Sequence, residues 1–481
     1  MYFRAIPLLA VLAAAASSLV GCASTPVPPL PAASPADAPA RWQAPLPGSA
    51  EPAEMRAWWG RFGDPLLVEL IDAAQAVSPT IASAASRIAQ ARATRVGAGA
   101  ALLPSLDANA NEVRGKQDFI SGLATSSAFG LQASWELDLF GGQRAARDAA
   151  QARAEGAGMA WHDARIAVAA TVASSYTDLR ACEAQVEQRA IDAHSRAETA
   201  RLTGLSYQAG FEAPASAALA RASAAQGNSL VIQQRQQCDL IVKSLVALAG
   251  IDEPTLRSKL ASGTARVPQP AEITFAAVPG QALAQRPDLI VAENDVIAAA
   301  ADVSQAQAAR LPRITLAGSM SASRVESSFG AGSGQLWAIG PLTITLPLFD
   351  GGTRRANLQA AQARYLEATA LYRGKLRTAI SEVEQALVTL NSATERGTDA
   401  RTASEGYAMS FRAAEARYKG GLGSLFELED ARRSQLQAQT TLIDLQHERS
   451  GAWITLYRAL GGGWNTNPAD PARPLATAAA P

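Results

Sequence analysis

The chain has 481 residues, 48% of them hydrophobic, and its 43 basic and 43 acidic side chains give a formal net charge of zero. That length suffices for one or two substantial cores, and the balanced charge gives no electrostatic basis for binding nucleic acid or an anionic membrane surface. Beyond the N-terminus no run of about 18 apolar residues occurs, which argues against interior helical membrane spans.

The N-terminal segment carries one charge, Arg4, then an apolar stretch from Ala5 to Ala16, then LVGC at Leu19 to Cys22. This is the pattern of an export signal, assigned to residues 1–21 and set apart from the fold. Leu-x-Gly-Cys resembles a bacterial lipobox, which implies cleavage before Cys22 and a covalent lipid on Cys22. Ala23 and Ser24 are not the Asp that usually retains a lipoprotein in the inner membrane, so the resemblance implies the outer membrane. Residues 22–56 are expected to form a lipid-anchored tether. Pro26, Pro28, Pro29, Pro31, Pro35 and Pro39 suit an extended chain or a segment lying along another surface. Folded sequence is expected from AWWGRFGDPLL, Ala57 to Leu67.

Ser78-Pro79 heads a helical run over Thr80 to Leu102. Two alternating segments follow. In the first, Leu106, Ala108 and Ala110 oppose Asp107, Asn109 and Asn111; in the second, Phe129, Leu131, Ala133, Trp135, Leu137 and Leu139 oppose Gln132, Ser134, Glu136 and Asp138. Residues Gly115 to Ser127 are expected to form the loop between them. Past Phe140, Gly141 and Gly142, a helical run from Gln143 to about Thr203 would extend about 90 Å as a single helix. YQAG, Tyr207 to Gly210, then turns the chain into an antiparallel return, Ala213 to Ala249.

The same order recurs. RPDLIVAENDVIAAAADVSQAQAAR gives a helix over Leu289 to Ala309, ITLAGSM and LTITLPLF give two alternating strands, and GAGSG, Gly330 to Gly334, is expected to be their exposed loop. Phe349, Gly351 and Gly352 repeat the first junction. The run Thr353 to about Ala413 carries Leu376, Ile380, Val383, Leu387 and Leu390 at the spacing of a supercoiled seam. YKGG, Tyr418 to Gly421, leads into the return, Leu425 to Leu460. The chain is therefore two tandem repeats, 57–260 and 261–464, with a flexible tail at 465–481.

Four strands with one apolar and one polar face are too few for a soluble sandwich, and apolar-out, polar-in spans of this length suit a membrane barrel. In lipid such a sheet must close on itself. Three rotationally related copies would supply twelve strands. Cys182 and Cys238 sit on opposite arms of a hairpin. Packed helices lie about 8–10 Å apart, so the pair is expected to be two small buried apolar residues rather than a disulfide. His162, His194 and His447 are isolated within helices, without the second ligand of a helical metal site. Neither a cofactor nor an enzyme site emerges.

Together LVGC, WWxxFxDPxL (Trp58 to Leu67), RPDLxxAE (Arg286 to Glu293), LPLFDGG (Leu346 to Gly352) and RYxxGxxSxxELxxAR (Arg417 to Arg432) resemble the outer-membrane factor family of TolC-like channels. The likeness covers about Ala57 to Trp464 and favours the lipoprotein branch found with RND-type and NodT-like tripartite efflux systems. It implies a mixed α/β membrane protein: a homotrimer whose twelve-stranded barrel continues into a long periplasmic helical barrel. Its implied partners are a periplasmic adaptor, an inner-membrane pump of RND type and outer-membrane lipid. The implied role is a passive exit duct for small molecules. The junctions at Phe140, Gly141 and Gly142 and at Phe349, Gly351 and Gly352 would redirect each strand into a tunnel helix, the aromatics sitting in the interfacial belt.

The family's acidic selectivity ring maps onto Glu427 and Asp430, three residues apart on one helical face. A solvated face, or pairs with Arg432 and Arg433, is the alternative. In the family member best known for this ring an Arg follows two residues after the glycine matching Gly421; here that position is Gly423, so a latch built on that Arg does not transfer. Tyr207 and Tyr418, at equal spacing before their turn glycines, are candidates to hold the tip closed, ordinary helix-end packing being the alternative. A periplasmic coiled-coil scaffold or adaptor, or a duct for a secreted polypeptide, would use the same helices.

Overall fold

The computed structural model describes residues 39, 42–44, 58–116, 123–270, 283–327 and 330–462. The export signal, Cys22, most of the tether and the tail at 465–481 lie outside them.

A short 3-10 turn, Trp59–Phe62, precedes α1 (Pro65–Val77) and α2 (Pro79–Ala100). Asp64 caps α1 by accepting from Leu66 N–H at 3.1 Å, with Pro65 in the first turn, where its missing N–H costs nothing. Then come β1 (Ser105–Lys116), β2 (Leu123–Leu137), the 67-residue α3 (Gly142–Gln208), α4 (Pro214–Ala249) and the short α5 (Glu253–Leu260). The second repeat follows with α6 (Pro287–Ala308), β3 (Arg313–Ser327), β4 (Gly330–Thr345), α7 (Thr353–Lys419), also 67 residues, and α8 (Leu425–Ala459). The sheet order is β1-β2-β3-β4, antiparallel throughout. Among the described residues no single helix is long and apolar enough to cross a membrane.

Two compact units result, and they cut across the repeats. One takes Ala85–Met159 and Val291–Gly374 and holds the sheet. In it α3 meets α6 through Ala149, Ala152, Ala298 and Ala301, small side chains that let two backbones approach. The other takes Ala33–Ala84, Ala160–Ile290 and Lys375–Pro481 and contains the main hydrophobic core. There Trp58 packs on Trp453 and Tyr457 with ring centroids 5.8 and 5.6 Å away, and Leu376, Val383, Leu387 and Leu390 of the expected seam are buried.

Four expectations are corrected. GAGSG is not a loop: Gly330 to Gly334 pair with Ser327 to Ser323 as the start of β4, and Leu123 to Ser127 belong to β2. Glycine and serine hide the alternation, but cross-strand pairing carries the ladder on to the hairpin ends. Conversely β4 stops at Thr345, so Leu346 to Phe349 lie outside it. Order also begins before Ala57: Trp42 is buried in the main core, and Gln43 and Ala44 N–H groups donate to the Glu384 carboxylate at 2.7 and 2.8 Å. Lastly, Cys182 and Cys238 form a disulfide, with Cα atoms 5.7 Å apart. The 8–10 Å figure describes helix axes; facing Cα atoms each sit about 2.3 Å nearer the partner, which brings them within reach of an S–S bond.

Candidate functional site

The sheet register decides what each face presents, because residues directly opposite one another share a face. Phe129 faces Ala110 and Ala322, Leu131 faces Ala108 and Met320, Trp135 faces Leu316, and Leu137 faces Ile314. On β4, Ile344 and Leu342 oppose Ile314 and Leu316, while Ile339 and Trp337 oppose Gly318 and Met320. The apolar positions change parity between Ile339 and Leu342. A bulge absorbs the change: Gly340 and Pro341 together stand against Ala317. Most of the large apolar side chains of the four strands therefore share one surface, where Trp337 is 73% and Ile339 83% exposed; Val113, Val325 and Leu336, toward the hairpin ends, stand on the other. The opposite surface carries Asp107, Asn109 and Asn111 of β1, Gln132, Ser134 and Glu136 of β2 and Thr315, Ser319 and Ser321 of β3. Glu136 there accepts from Arg313 at 2.8 Å. Within the described chain β1 and β4 are the sheet edges.

At the first junction Gly141 takes φ +77° and Gly142 opens α3, where a Cβ would stand 3.1 Å from that of Ala308. Asp138 closes the turn by accepting from Gln143 and Arg144 N–H groups at 3.1 and 2.9 Å and from Arg144 Nε at 3.1 Å. Burial pushes its carboxyl up, but these donors outweigh burial and hold it below the usual carboxylate range. At the second junction Gly351 and Gly352 take φ +64° and +91°, and Asp350 accepts from Gly352 and Arg354 N–H groups and from Arg354 Nη1. Arg354 N–H is the main cause of its lowered pKa. The two helices are thus capped by carboxylates from different places, one before the aromatic and one after it. Phe140 is half-buried and Phe349 is 93% exposed. Trp135 donates its indole N–H to the Leu102 carbonyl at 3.0 Å.

At the tips the backbone turns match. Gly210 and Gly421 take φ +81° and +72°; Phe211 N–H reaches Ser206 carbonyl and Leu422 N–H reaches Arg417 carbonyl, each at 2.8 Å. The side chains diverge. Ser424 caps α8 by accepting from Glu427 N–H at 3.1 Å, and the Glu427 carboxylate accepts from Arg417, not from Arg432 or Arg433, at 2.7 Å. Asp430 is exposed. Tyr418 OH lies 2.7 Å from Thr203 Oγ1; since Thr203 already donates to the Thr199 carbonyl, Tyr418 is the donor, and it ties the second hairpin to the first. Tyr207 is exposed.

One helical turn beyond Glu427, α8 turns a second set of charges inward. Arg432, 2% exposed, donates to Thr199 and Ser195 of α3 at 2.9 and 3.1 Å and pairs with Glu429. Glu429 also accepts from Ser223 of α4 at 3.1 Å, and Arg196 joins Asp192 at 2.8 Å to Ser223 at 2.8 Å. This buried cluster fixes the rotation of α8 and keeps Glu427 and Asp430 on the opposite face.

An outer membrane efflux protein profile matches residues 70–251 and again 278–462. The chain belongs to the outer membrane efflux protein family. It is 33% identical to the pyoverdine export outer membrane protein OpmQ of Pseudomonas putida over 94% of this chain and 96% of that one. To the outer membrane protein OprJ of Pseudomonas aeruginosa it is 32% identical, over 94% and 95%. The solved outer-membrane channel OprN superposes with a TM-score of 0.77 at 27% identity, covering 92% of this chain and 98% of that one. This efflux protein is accordingly an outer-membrane exit duct with a long periplasmic portion, from a family of channels rather than enzymes.

For an efflux protein the features that went unread in the sequence are informative. Trp337 and Ile339 lie between the expected loop, Gly330 to Gly334, and the expected strand from Leu342, although odd-numbered apolar residues followed by Gly-Pro and even-numbered ones are the signature of a bulge. Asp138 and Asp350 were legible as caps from the Asp, Gly and Arg spacing. The local pairs Asp192–Arg196 and Glu429–Arg432 have helical i,i+4 and i,i+3 spacing, but their meeting with one another leaves no sequence signal, because it depends on three helices. Of the histidines, His194 is exposed and His447 meets Asp178 at 2.6 Å. Among the described residues no group of three His, Cys, Asp or Glu side chains is placed to hold a metal ion.

Proposed function

We propose that three copies of this chain close their four-stranded sheets into a twelve-stranded outer-membrane barrel, continued by a periplasmic helical barrel. The observation that carries this reading is the sheet itself. One surface carries most of the large apolar side chains and exposes them, the other is mainly polar, and within the described chain both edges are open. In lipid each unpaired edge group costs several kcal/mol, so closure by further copies is the physical solution.

In this reading the polar face wets the pore. The duct serves a tripartite system with a periplasmic adaptor and an inner-membrane RND-type pump, which supplies the energy. A relative named for pyoverdine export supports a small-molecule cargo over a polypeptide. Cys22 carries the lipid anchor, and the Trp42 to Ala44 segment clipped to Glu384 directs the tether. Glu427 and Asp430, repeated by symmetry, form an acidic ring at the periplasmic mouth that attracts cations. Tyr418 on Thr203 holds that mouth closed. Planar bilayers containing the purified protein test the proposal. Discrete cation-selective conductance is expected, and Glu427→Ala with Asp430→Ala should raise the conductance and lower the selectivity. No conductance from either protein would refute the duct.

A further inference from the structure

Cys182 of α3 and Cys238 of α4 join across the first hairpin, 5% and 9% exposed. Buried Gln234 donates to Cys182 Sγ at 3.3 Å and to Gln185 Oε1 at 3.0 Å, and Gln185 donates to Asp444 of α8 at 2.7 Å. The bond therefore sits inside a polar chain that reaches the second hairpin. The second hairpin has no counterpart. With α7 aligned on α3 and α8 on α4 from their first residues, Cys182 falls on Ala393 and Cys238 on Arg449. These two line an open crevice of about 290 Å³ together with Gln269, Thr394 and Gln446.

We propose that Cys182 and Cys238 are an oxidative maturation site. A periplasmic protein carrying a reactive disulfide oxidises the pair during export, and the product holds the first hairpin covalently while the second stays non-covalent. In the reaction one thiolate attacks the oxidant's disulfide, forming a mixed disulfide and expelling a thiolate. The second cysteine then attacks the mixed disulfide, forming the Cys182–Cys238 bond. The two protons and two electrons lost by the chain leave the oxidant as a dithiol.

Burial sets the timing: a protein oxidant cannot reach sulfurs enclosed between packed helices, so oxidation precedes the docking of α4 on α3. The compartment suits it, since the periplasm is oxidising. A lipid on Cys22 leaves only two thiols and hence one pairing, a point that rests on the lipidation reading.

Counting thiols separates these claims. Full-length protein extracted from outer membranes is denatured and alkylated with a polyethylene-glycol maleimide, with and without prior reduction. No adducts before reduction and two after are expected. One before and three after would keep the disulfide and reject the lipid on Cys22; equal counts before and after would overturn the proposal. The constraint has its own readout. In Cys182→Ala/Cys238→Ala protein, proteinase K should cut the first turn, residues 209–213, about tenfold faster than in the parent, and the second turn, 420–424, at an unchanged rate. Equal rates at the first turn would overturn the mechanical role.

Discussion

The two hairpins share a backbone and differ in what closes it. In the first, Pro214 starts the return helix without a side-chain cap, and the arms are joined by Cys182–Cys238. In the second, Ser424 caps the return helix, Arg417 pairs with Glu427, and Arg432, Tyr418 and His447 reach across to the first hairpin. The turn geometry that glycine dictates is thus common to both, while the contacts differ: the first hairpin adds a covalent bond to the Arg196–Ser223 contact between its arms, and the second relies on ions and hydroxyls alone. Salt, pH and single charge substitutions should act more on the turn of the second hairpin than on that of the first.

The largest contrast is expected at Arg432. Arg432→Ala takes from Glu429 its nearest cation and from Thr199 and Ser195 a buried donor, leaving Arg196 to serve both Asp192 and Glu429, and should cost about 3 kcal/mol of stability, whereas Arg221→Ala, at the aligned exposed position of α4, should stay within about 0.5 kcal/mol. Thermal unfolding of the two variants measures both, and equal losses would break the comparison. Next come the glycines that end each return helix. A Cβ at Gly461 would meet Arg286 Cα and the Gln285 carbonyl at 3.1 Å, while one at Gly250 would meet the Val77 side chain at 3.0 Å. Both have positive φ, but only Val77 can rotate away. Gly461→Ala should therefore cost about 3 kcal/mol and Gly250→Ala about 1 kcal/mol.

Smaller effects should separate the hairpins by pH and salt. The hydrogen bond that His447 donates to the Asp178 carboxylate raises the pKa of His447, so its stabilisation is complete below the unfolded value near 6.5 and is lost as pH rises through the raised folded value. The pair is partly exposed, so a few tenths of a kcal/mol is expected. His447→Gln should remove that part of the fall in melting temperature between mildly acidic and mildly alkaline buffer. Gln236, the aligned residue, cannot titrate. The Arg417–Glu427 pair is exposed and likewise supports only a few tenths of a kcal/mol. Raising the salt concentration should speed proteinase K cleavage at 420–424 slightly and leave 209–213 unchanged, since Ser206 and Ser216 occupy the matching positions.

How far the sequence could be read follows from where each signal resides. Periodicity and glycine spacing are local, so the long helices, the four strands, both junctions and the seam from Leu376 to Leu390 were visible in one dimension. The strand ends at Gly330 and Leu123 were hidden, because small residues carry no alternation and only pairing with β3 and β1 keeps them extended. Helix-axis spacing hides the disulfide, because facing Cα atoms lie closer together than the axes that carry them. The charge cluster around Arg432 and the clip of Gln43 and Ala44 on Glu384 join residues far apart in the chain, which no local pattern records.

The central claim is that the sheet is incomplete in one chain and is finished by others. Native mass spectrometry of the detergent-extracted protein tests it most directly: the account predicts a particle of three chains, and a stable, folded single chain would contradict it.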